Sequence, residues 1–161
     1  MTVDPDELIH AFLQVAQLAH VPLRLADVRQ EVLPAPHKSP KNLPPGLQAV
    51  YAFLLAERCL KVGKAGPKTQ ARFTSQHYGL HAPSTLAKSI LANRQRLAAV
   101  LRPERRKEVE GLDEATVGAW IRHSATRLHL FLPTATGALA LSLLEAFVQC
   151  RLNPMFEGKV A

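Results

Sequence analysis

The sequence predicts an α+β fold in which helices flank a small, mixed or antiparallel three-stranded sheet. Residues 47–55 and 59–62 are apolar segments separated by a short turn, which is the pattern of a β-hairpin. Residues 126–132 alternate leucines with other side chains and predict a third strand. The segments around these strands carry apolar residues at helical spacing and residues that favour helix caps, so they are predicted to be helices.

The N-terminal part of the chain is predicted to be a helical extension. Acidic residues and a proline mark a helix start, and apolar spacing extends this helix over residues 5–20. Residues 24–33 are predicted to form a second, short helix. Five prolines in residues 34–46 exclude a helix and a central strand there. We therefore expect an N-terminal helical extension (1–33), a stiff proline-rich linker (34–46) and a main domain (47–161).

The main domain is predicted to pass from the hairpin through three helices to its third strand. The first helix covers residues 68–78, the second runs from a cap at Ser84 to about residue 101, and the third begins at Asp113. After the third strand, a turn containing proline and glycine leads into a last helix that ends at about Leu152.

Composition excludes several classes of protein. Hydrophobic residues make up 47% of the chain, which excludes a mostly disordered protein. No apolar run reaches the roughly 18–20 residues that cross a bilayer, and the acidic N-terminus differs from the basic start of a secretory signal. Cys59 and Cys150 have neither a CxxC nor a zinc-site spacing, so we expect two buried, reduced thiols. These features predict a cytoplasmic protein that does not enter the membrane.

The positive charge of the chain is concentrated in one segment. The net charge is +7, and residues 61–107 carry eleven lysines and arginines against one acid, Glu104. A polyanion is the natural partner of such a segment, because lysine and arginine release the counterions condensed on phosphates. A solvated basic surface explains the charge nearly as well, and attraction to an anionic membrane surface explains it equally well.

Glu145 is the first candidate for chemistry. It is the only acidic residue between Glu114 and Glu157, and its neighbours in the predicted last helix are apolar. A carboxylate in such surroundings needs a cation, a hydrogen-bond donor or a metal ion. A glutamate on the solvent-facing side of the helix explains the same pattern.

Tyr51, in the first strand of the hairpin, is the second candidate. A tyrosine on a short strand is usually part of the core, with its hydroxyl bonded to a local acceptor. A functional tyrosine would instead lie in a cationic site, where positive charge lowers the pKa of the phenol. Lys61, Lys64, Lys68 and Arg72 follow closely in the sequence and could supply that charge.

The segment after the hairpin adds further candidates. Gly63 could allow close approach of the backbone to another group, or could belong to an ordinary turn. Arg72 could bind two phosphate oxygens with its guanidinium, or could be a solvated helix residue. His77, next to Tyr78, could be an acid, a base or a phosphate donor, and is as often structural.

The order of these residues resembles the GIY-YIG nuclease superfamily. Its Gly-Ile-Tyr motif is similar to Ala49-Val50-Tyr51, and its Tyr-Ile-Gly motif is similar to Lys61-Val62-Gly63. Lys64-Ala65 continues the second motif as in the excision-nuclease branch of that superfamily. The superfamily arginine falls on Arg72, and the metal-binding glutamate falls on Glu145. The resemblance covers residues 47–157, with Ala49 and Lys61 as departures.

The resemblance implies a metal-dependent endonuclease that hydrolyses nucleic-acid phosphodiesters, with DNA favoured over RNA. The implied mechanism uses Tyr51 as general base and a single Mg²⁺ or Mn²⁺ ion on Glu145. The implied catalytic residues are Tyr51, Lys61, Arg72, His77 and Glu145, and the implied phosphate- or nucleic-acid-binding residues are Gly63, Lys64, Lys68 and Tyr78.

Two alternatives remain open at this point. Lys61 replaces a tyrosine of the superfamily motif, so the chain could be a catalytically inactive module that binds nucleic acid on the same fold. Alternatively, residues 1–33 could form a homo-oligomer or bind a protein partner, with the basic segment being only a solvated surface. Salt-dependent binding to DNA would distinguish this second alternative from the nucleic-acid functions.

Overall fold

A computed structural model of the chain describes residues 3–157 and contains a four-stranded, fully antiparallel sheet flanked by helices. The spatial order of the strands is β1-β4-β2-β3. The strands are β1 (Arg29–Leu33), β2 (Leu47–Leu55), β3 (Arg58–Ala65) and β4 (Thr126–Pro133). The predicted α+β class, the hairpin β2–β3 and the strand β4 are confirmed. The outermost residues of the predicted segments, 1–2 and 158–161, lie outside the described residues.

The predicted count of three strands is wrong, because residues 29–33 form an additional edge strand. A short helix was expected over 24–33, but the structure has a single 3-10 turn (Leu25–Asp27) followed by β1. The edge of β4 offers its backbone groups to this segment, and the pairing includes Gln30 opposite Leu130. Tertiary pairing therefore decides the conformation of a segment that is too short to be stable as an isolated helix.

Seven α-helices occur among the described residues. They are α1 (Pro5–Leu18), α2 (Gln70–Thr74), α3 (Leu86–Ala92), α4 (Arg94–Ala99), α5 (Pro103–Glu110), α6 (Val117–Ser124) and α7 (Ala138–Leu152). None of the helices within residues 3–157 has both the length and the apolar character needed to cross a bilayer.

Several predicted helix boundaries differ from the structure. The single helix expected from Ser84 to about residue 101 is two helices, α3 and α4, interrupted at Asn93. The cap of α3 is Thr85, whose hydroxyl accepts the backbone N–H of Lys88 at 3.1 Å. The helix expected over 68–78 is α2 followed by a 3-10 turn (Gln76–Tyr78).

Cys150 is exposed, in contrast to the expectation of two buried thiols, whereas Cys59 is buried; both are free.

Both faces of the sheet are covered, so alternate residues of β2 enter two separate cores. One core contains Tyr51 and Phe53 and is completed by residues of α2 to α6. The other contains Val50 and is completed by α1 and α7, with the rings of Phe12 and Phe147 5.6 Å apart. Burial on both faces explains why β2 is a continuous apolar segment rather than an alternating one.

The chain after α7 runs along the free edge of β3. Asn153 adopts a left-handed conformation (φ 44°) that ends the helix and redirects the backbone. The backbone N–H of Met155 then donates to the Cys59 carbonyl at 2.9 Å, and that of Phe156 to the Leu60 carbonyl at 2.8 Å. Leu60 is the extra residue at a β-bulge, where the register between β2 and β3 shifts.

Candidate active site

A cavity of about 230 Å³ opens at the β3 edge of the sheet and contains most of the predicted site residues. Seven of the nine predicted residues line it, and Lys68 and Tyr78 do not. The lining comprises Tyr51, Lys61, Val62, Gly63, Lys64, Arg72, Gln76, His77, Ala82, Pro83, Ser84, Glu145 and Glu157. The structure therefore brings together residues that are separated by more than ninety positions in the sequence.

The position of β3 at the sheet edge allows residues from both faces to reach the same cavity. Tyr51 pairs with Gly63 across the hairpin, so the two lie on the same face, together with Lys61 two residues earlier. Lys64 is on the opposite face and contacts α7, where its ammonium lies 2.8 Å from a Glu145 carboxylate oxygen. If β3 were an interior strand, the sheet would separate Tyr51 and Lys61 on one face from Lys64 and Glu145 on the other.

Gly63 makes room for the phenol of Tyr51. A Cβ atom at position 63 would lie 2.6 Å from the Tyr51 hydroxyl oxygen and 2.7 Å from the ring carbon that bears it. Cβ atoms in real proteins essentially never lie this close to other atoms, so a larger residue at position 63 requires the phenol to move. Close approach of the Tyr51 phenol thus explains the glycine at position 63.

His77 fixes the hydrogen-bonding role of the Tyr51 oxygen. The two groups are 2.6 Å apart, through Nε2 of the imidazole. Nδ1 accepts the backbone N–H of Leu86 at 3.2 Å, and burial lowers the pKa of His77 to about 3. A neutral imidazole that accepts at Nδ1 carries its proton on Nε2, so His77 donates to Tyr51. The phenol proton of Tyr51 is therefore available for an acceptor in the cavity.

Burial raises the pKa of Tyr51, in contrast to the expected lowering by nearby cations. The side chain is 2% exposed, and loss of solvation disfavours the phenolate. Arg127 and Arg72 do favour the phenolate, as positive charge should, but their effect is smaller than that of burial. At neutral pH the phenol is protonated.

Arg127 lies beneath Tyr51 and was not identified from the sequence. Its side chain is fully buried, with its guanidinium carbon 5.4 Å from the centre of the Tyr51 ring and 4.8 Å from that of Phe53. It donates to the Phe73 carbonyl at 2.8 Å, whereas its Nε has no partner among the described residues. The sequence places Arg127 and His129 on the face of β4 opposite its leucines, but this pattern does not show which residues cover that face.

Tyr78 and Lys68, both predicted to bind nucleic acid, lie outside the cavity. The hydroxyl of Tyr78 accepts from Arg127 at 3.0 Å and lies 2.6 Å from Nε2 of His37, so it is committed to buried partners. Lys68 is exposed. Arg72 is also exposed, but it borders the cavity.

Glu145 is the predicted metal ligand. Its side chain is 21% exposed and paired with Lys64, whose ammonium also donates to Ser142 at 3.0 Å. No group of three histidine, cysteine or acidic side chains within the described residues could hold a metal ion. Glu145 as a single protein ligand does not fit zinc or calcium, which take most of their ligands from protein. It fits Mg²⁺, which keeps several waters and often takes one or two carboxylates together with phosphate oxygens.

Lys61, the residue that departs from the expected second motif, is held in place on two sides. Its ammonium donates to the Ser84 hydroxyl at 3.4 Å and to the Phe156 carbonyl at 3.3 Å, and the residue is 7% exposed. A buried ammonium with two neutral partners retains donor capacity for an anion in the cavity.

Glu157 is a cavity residue that was not identified from the sequence. One carboxylate oxygen accepts the backbone N–H of Val62 at 2.5 Å, and the other accepts from the Gln149 amide at 3.0 Å. Burial raises its pKa, although Lys61 and the hydrogen bonds act in the opposite direction. Only the turn after α7 brings Glu157 to β3, so nothing in the local sequence marks it as a site residue.

Comparison of the chain with protein-family models, with curated proteins and with solved structures finds no match.

Proposed function

We propose that the chain is a metal-dependent endonuclease of the GIY-YIG type that hydrolyses nucleic-acid phosphodiesters, with DNA favoured. The observation that supports this proposal most strongly is the arrangement of Tyr51, Lys61, Arg72 and Glu145 around one cavity. These residues come from four different parts of the chain, and three of them are the tyrosine, arginine and glutamate of the superfamily pattern.

The cationic side chains of the cavity would hold a phosphodiester. Lys61, Lys64 and Arg72 line it from β3 and α2. The guanidinium of Arg72 can bind two phosphate oxygens at once and stabilise the additional negative charge of the transition state. Lys61 is already fixed by its contacts with Ser84 and Phe156. Little side-chain freedom would therefore be lost when it binds an anion.

Glu145 would hold a divalent cation, with Mg²⁺ or Mn²⁺ proposed. When bound, the ion would supply Lewis-acid stabilisation of the phosphate and the leaving oxygen. The Lys64 ammonium pairs with one oxygen of the Glu145 carboxylate, so Lys64 would compete with a metal ion for this carboxylate.

The hydrogen bonds of Tyr51 favour a donor role for its phenol. The sequence-based hypothesis makes Tyr51 the general base, which requires the phenol to lose its proton first. Because burial raises its pKa and its oxygen accepts from His77, the phenol stays protonated and can donate a hydrogen bond into the cavity. We propose that the phenol keeps this proton and donates a hydrogen bond to a phosphate oxygen, while the hydrogen bond from His77 holds the phenol in position.

A non-catalytic nucleic-acid-binding module is the second candidate. Two observations favour it: a lysine replaces the second-motif tyrosine, and the Glu145 carboxylate is already paired with Lys64. Such a module would bind a phosphodiester in the same cavity without cutting it.

A combined binding and cleavage assay distinguishes these functions. Labelled single-stranded DNA, duplex DNA and RNA are incubated with the protein in Mg²⁺, Mn²⁺ or EDTA, and binding is measured over a range of salt concentrations. Metal-dependent cleavage that is lost in Y51F and E145Q supports the endonuclease. Salt-sensitive binding without cleavage in any metal supports the binding module, and absence of salt-sensitive binding rejects both.

A further inference from the structure

We infer that Glu157 is the general base of the proposed hydrolysis, the group that takes a proton from the attacking water. This inference rests on the proposed function. It assigns a catalytic residue that lies outside the superfamily pattern described above.

The backbone holds the Glu157 carboxylate in the cavity. The segment after α7 is tied to β3 by the backbone bonds of Met155 and Phe156, and Glu157 is the next residue. Its carboxylate also binds this edge of β3, where it accepts the backbone N–H of Val62, the residue between Lys61 and Gly63. A base must be held close to the water it activates, and a carboxylate fixed by β3 meets that requirement more closely than a free surface side chain would.

The hydrogen bonds of Glu157 leave it able to accept a proton. A carboxylate has about four acceptor positions, and two are used by Val62 and Gln149. Tyr51 is a poorer proton acceptor, because its oxygen accepts a hydrogen bond from His77 and still carries its own proton. Of the two oxygen groups, Glu157 is therefore the better proton acceptor.

The cavity that contains Glu157 is bordered by charged side chains of β3, α2 and α7. Lys61 and Lys64 of β3 and Arg72 of α2 are positive, Glu145 of α7 is negative, and buried His77 is neutral. The thiol of Cys59 is also near, and burial raises its pKa to about 12, so it stays uncharged. Burial raises the pKa of Glu157 itself towards the range in which general bases operate.

The proposed step balances without an additional reactant. As the water oxygen forms its bond to phosphorus, one water proton moves to Glu157. The bond between phosphorus and the 3′ oxygen breaks, and the leaving oxygen takes the electron pair of that bond together with a proton from solvent. Glu157 then returns its proton to solvent, so the products are a phosphate monoester and a 3′ hydroxyl.

The test is the pH dependence of single-turnover cleavage by wild type, E157Q and Y51F at saturating Mg²⁺. With Glu157 as base, the wild-type rate rises with pH through the acidic range and reaches a plateau near neutrality. E157Q keeps an acceptor for the Val62 N–H, cleaves about 10²–10⁴-fold more slowly and loses the acidic limb. Formate added to E157A restores part of the rate. E110Q, which changes an exposed glutamate of α5, serves as the control and keeps the wild-type profile.

Two results would overturn the assignment. The first is a wild-type rate that keeps rising beyond pH 9, because that profile belongs to a tyrosine base. The second is an E157Q enzyme with the wild-type rate and acidic limb. In both cases the proposed hydrolysis stands and only the role of Glu157 is rejected. A wild-type protein that cleaves no substrate in any metal rejects the proposed function itself. The wild-type profile tests the assignment even if a variant fails to fold.

Discussion

The phenol of Tyr51 lies so close to Gly63 that a Cβ atom there would be 2.6 Å from the hydroxyl oxygen. The two residues are also direct partners across the β2–β3 hairpin. The backbone at Gly63 therefore limits where the Tyr51 side chain can lie, and the hydrogen bond with His77 fixes it from a second direction.

Substitution of Gly63 by alanine is expected to displace the Tyr51 phenol. The new methyl group requires a shift in a packed region, which costs about 1–3 kcal/mol of unfolding free energy. We expect cleavage to fall at least tenfold. Chemical denaturation and cleavage rates measure both effects. The control is G66A, because a Cβ at Gly66 has no neighbouring atom within 4 Å. Equal losses in the two variants would contradict the role of Gly63 in positioning Tyr51.

The neutral state of His77 predicts a loss of stability in acid. Burial lowers its pKa to about 3, well below the unfolded value of about 6.5. The unfolded chain therefore binds a proton between these values while the folded chain does not. The stability contributed by neutral His77 is complete above pH 6.5 and falls by about 1.4 kcal/mol per pH unit below it. His129, with its pKa lowered to about 4, acts in the same direction.

This acid dependence can be checked by urea denaturation between pH 7.5 and 5. The unfolding free energy of H77Q should fall less steeply below pH 6.5 than that of wild type. H123Q, which changes an exposed histidine of α6, should keep the wild-type slope. An H77Q protein with the full wild-type slope would show that His77 is not buried as a neutral group.

Lys64 is expected to weaken metal binding by occupying the Glu145 carboxylate. In K64Q the competing ammonium is removed, and an ion pair that is partly exposed contributes about 0.2–1 kcal/mol. Affinity for Mn²⁺ should therefore rise by roughly up to fivefold. Isothermal titration calorimetry measures this change. K107Q should leave the affinity unchanged, and E145Q should abolish binding. Unchanged binding in E145Q would place the metal elsewhere.

Truncation of Arg127 is expected to destabilise the fold strongly. R127A removes the donor to Phe73 and Tyr78 and leaves a void among four aromatic rings. The cavity left by truncating a large buried side chain to alanine typically costs about 2–5 kcal/mol. R102A, at an exposed arginine, should change the unfolding free energy by less than about 0.5 kcal/mol. Similar values for the two variants would contradict the buried position of Arg127.

Local patterns predicted the central elements of the fold well. The hairpin β2–β3, the strand β4 and the helix α7 were predicted because each has a continuous or periodic apolar pattern along its own length. The edge strand β1 was missed because its conformation depends on pairing with β4, almost one hundred residues away. The helix α5 was missed because Val109 is its one buried residue.

The candidate site was predictable only where a motif marked it. Tyr51, Gly63, Arg72 and Glu145 were proposed from an ordered resemblance, and the structure places all four around one cavity. Glu157 depends on the left-handed turn at Asn153, which sequence spacing does not reveal. The pKa of Tyr51 depends on burial by distant residues, so the nearby cations alone suggested the wrong direction.

The proposed endonuclease function is tested most directly by the single-turnover rate at which the protein cleaves duplex DNA in Mg²⁺. We expect cleavage by wild type and by the charge-matched control E110Q, no cleavage in EDTA, and a rate at least about 10²-fold lower in E145Q. Cleavage by E145Q at the wild-type rate, or no cleavage by wild type in any divalent metal, would contradict it.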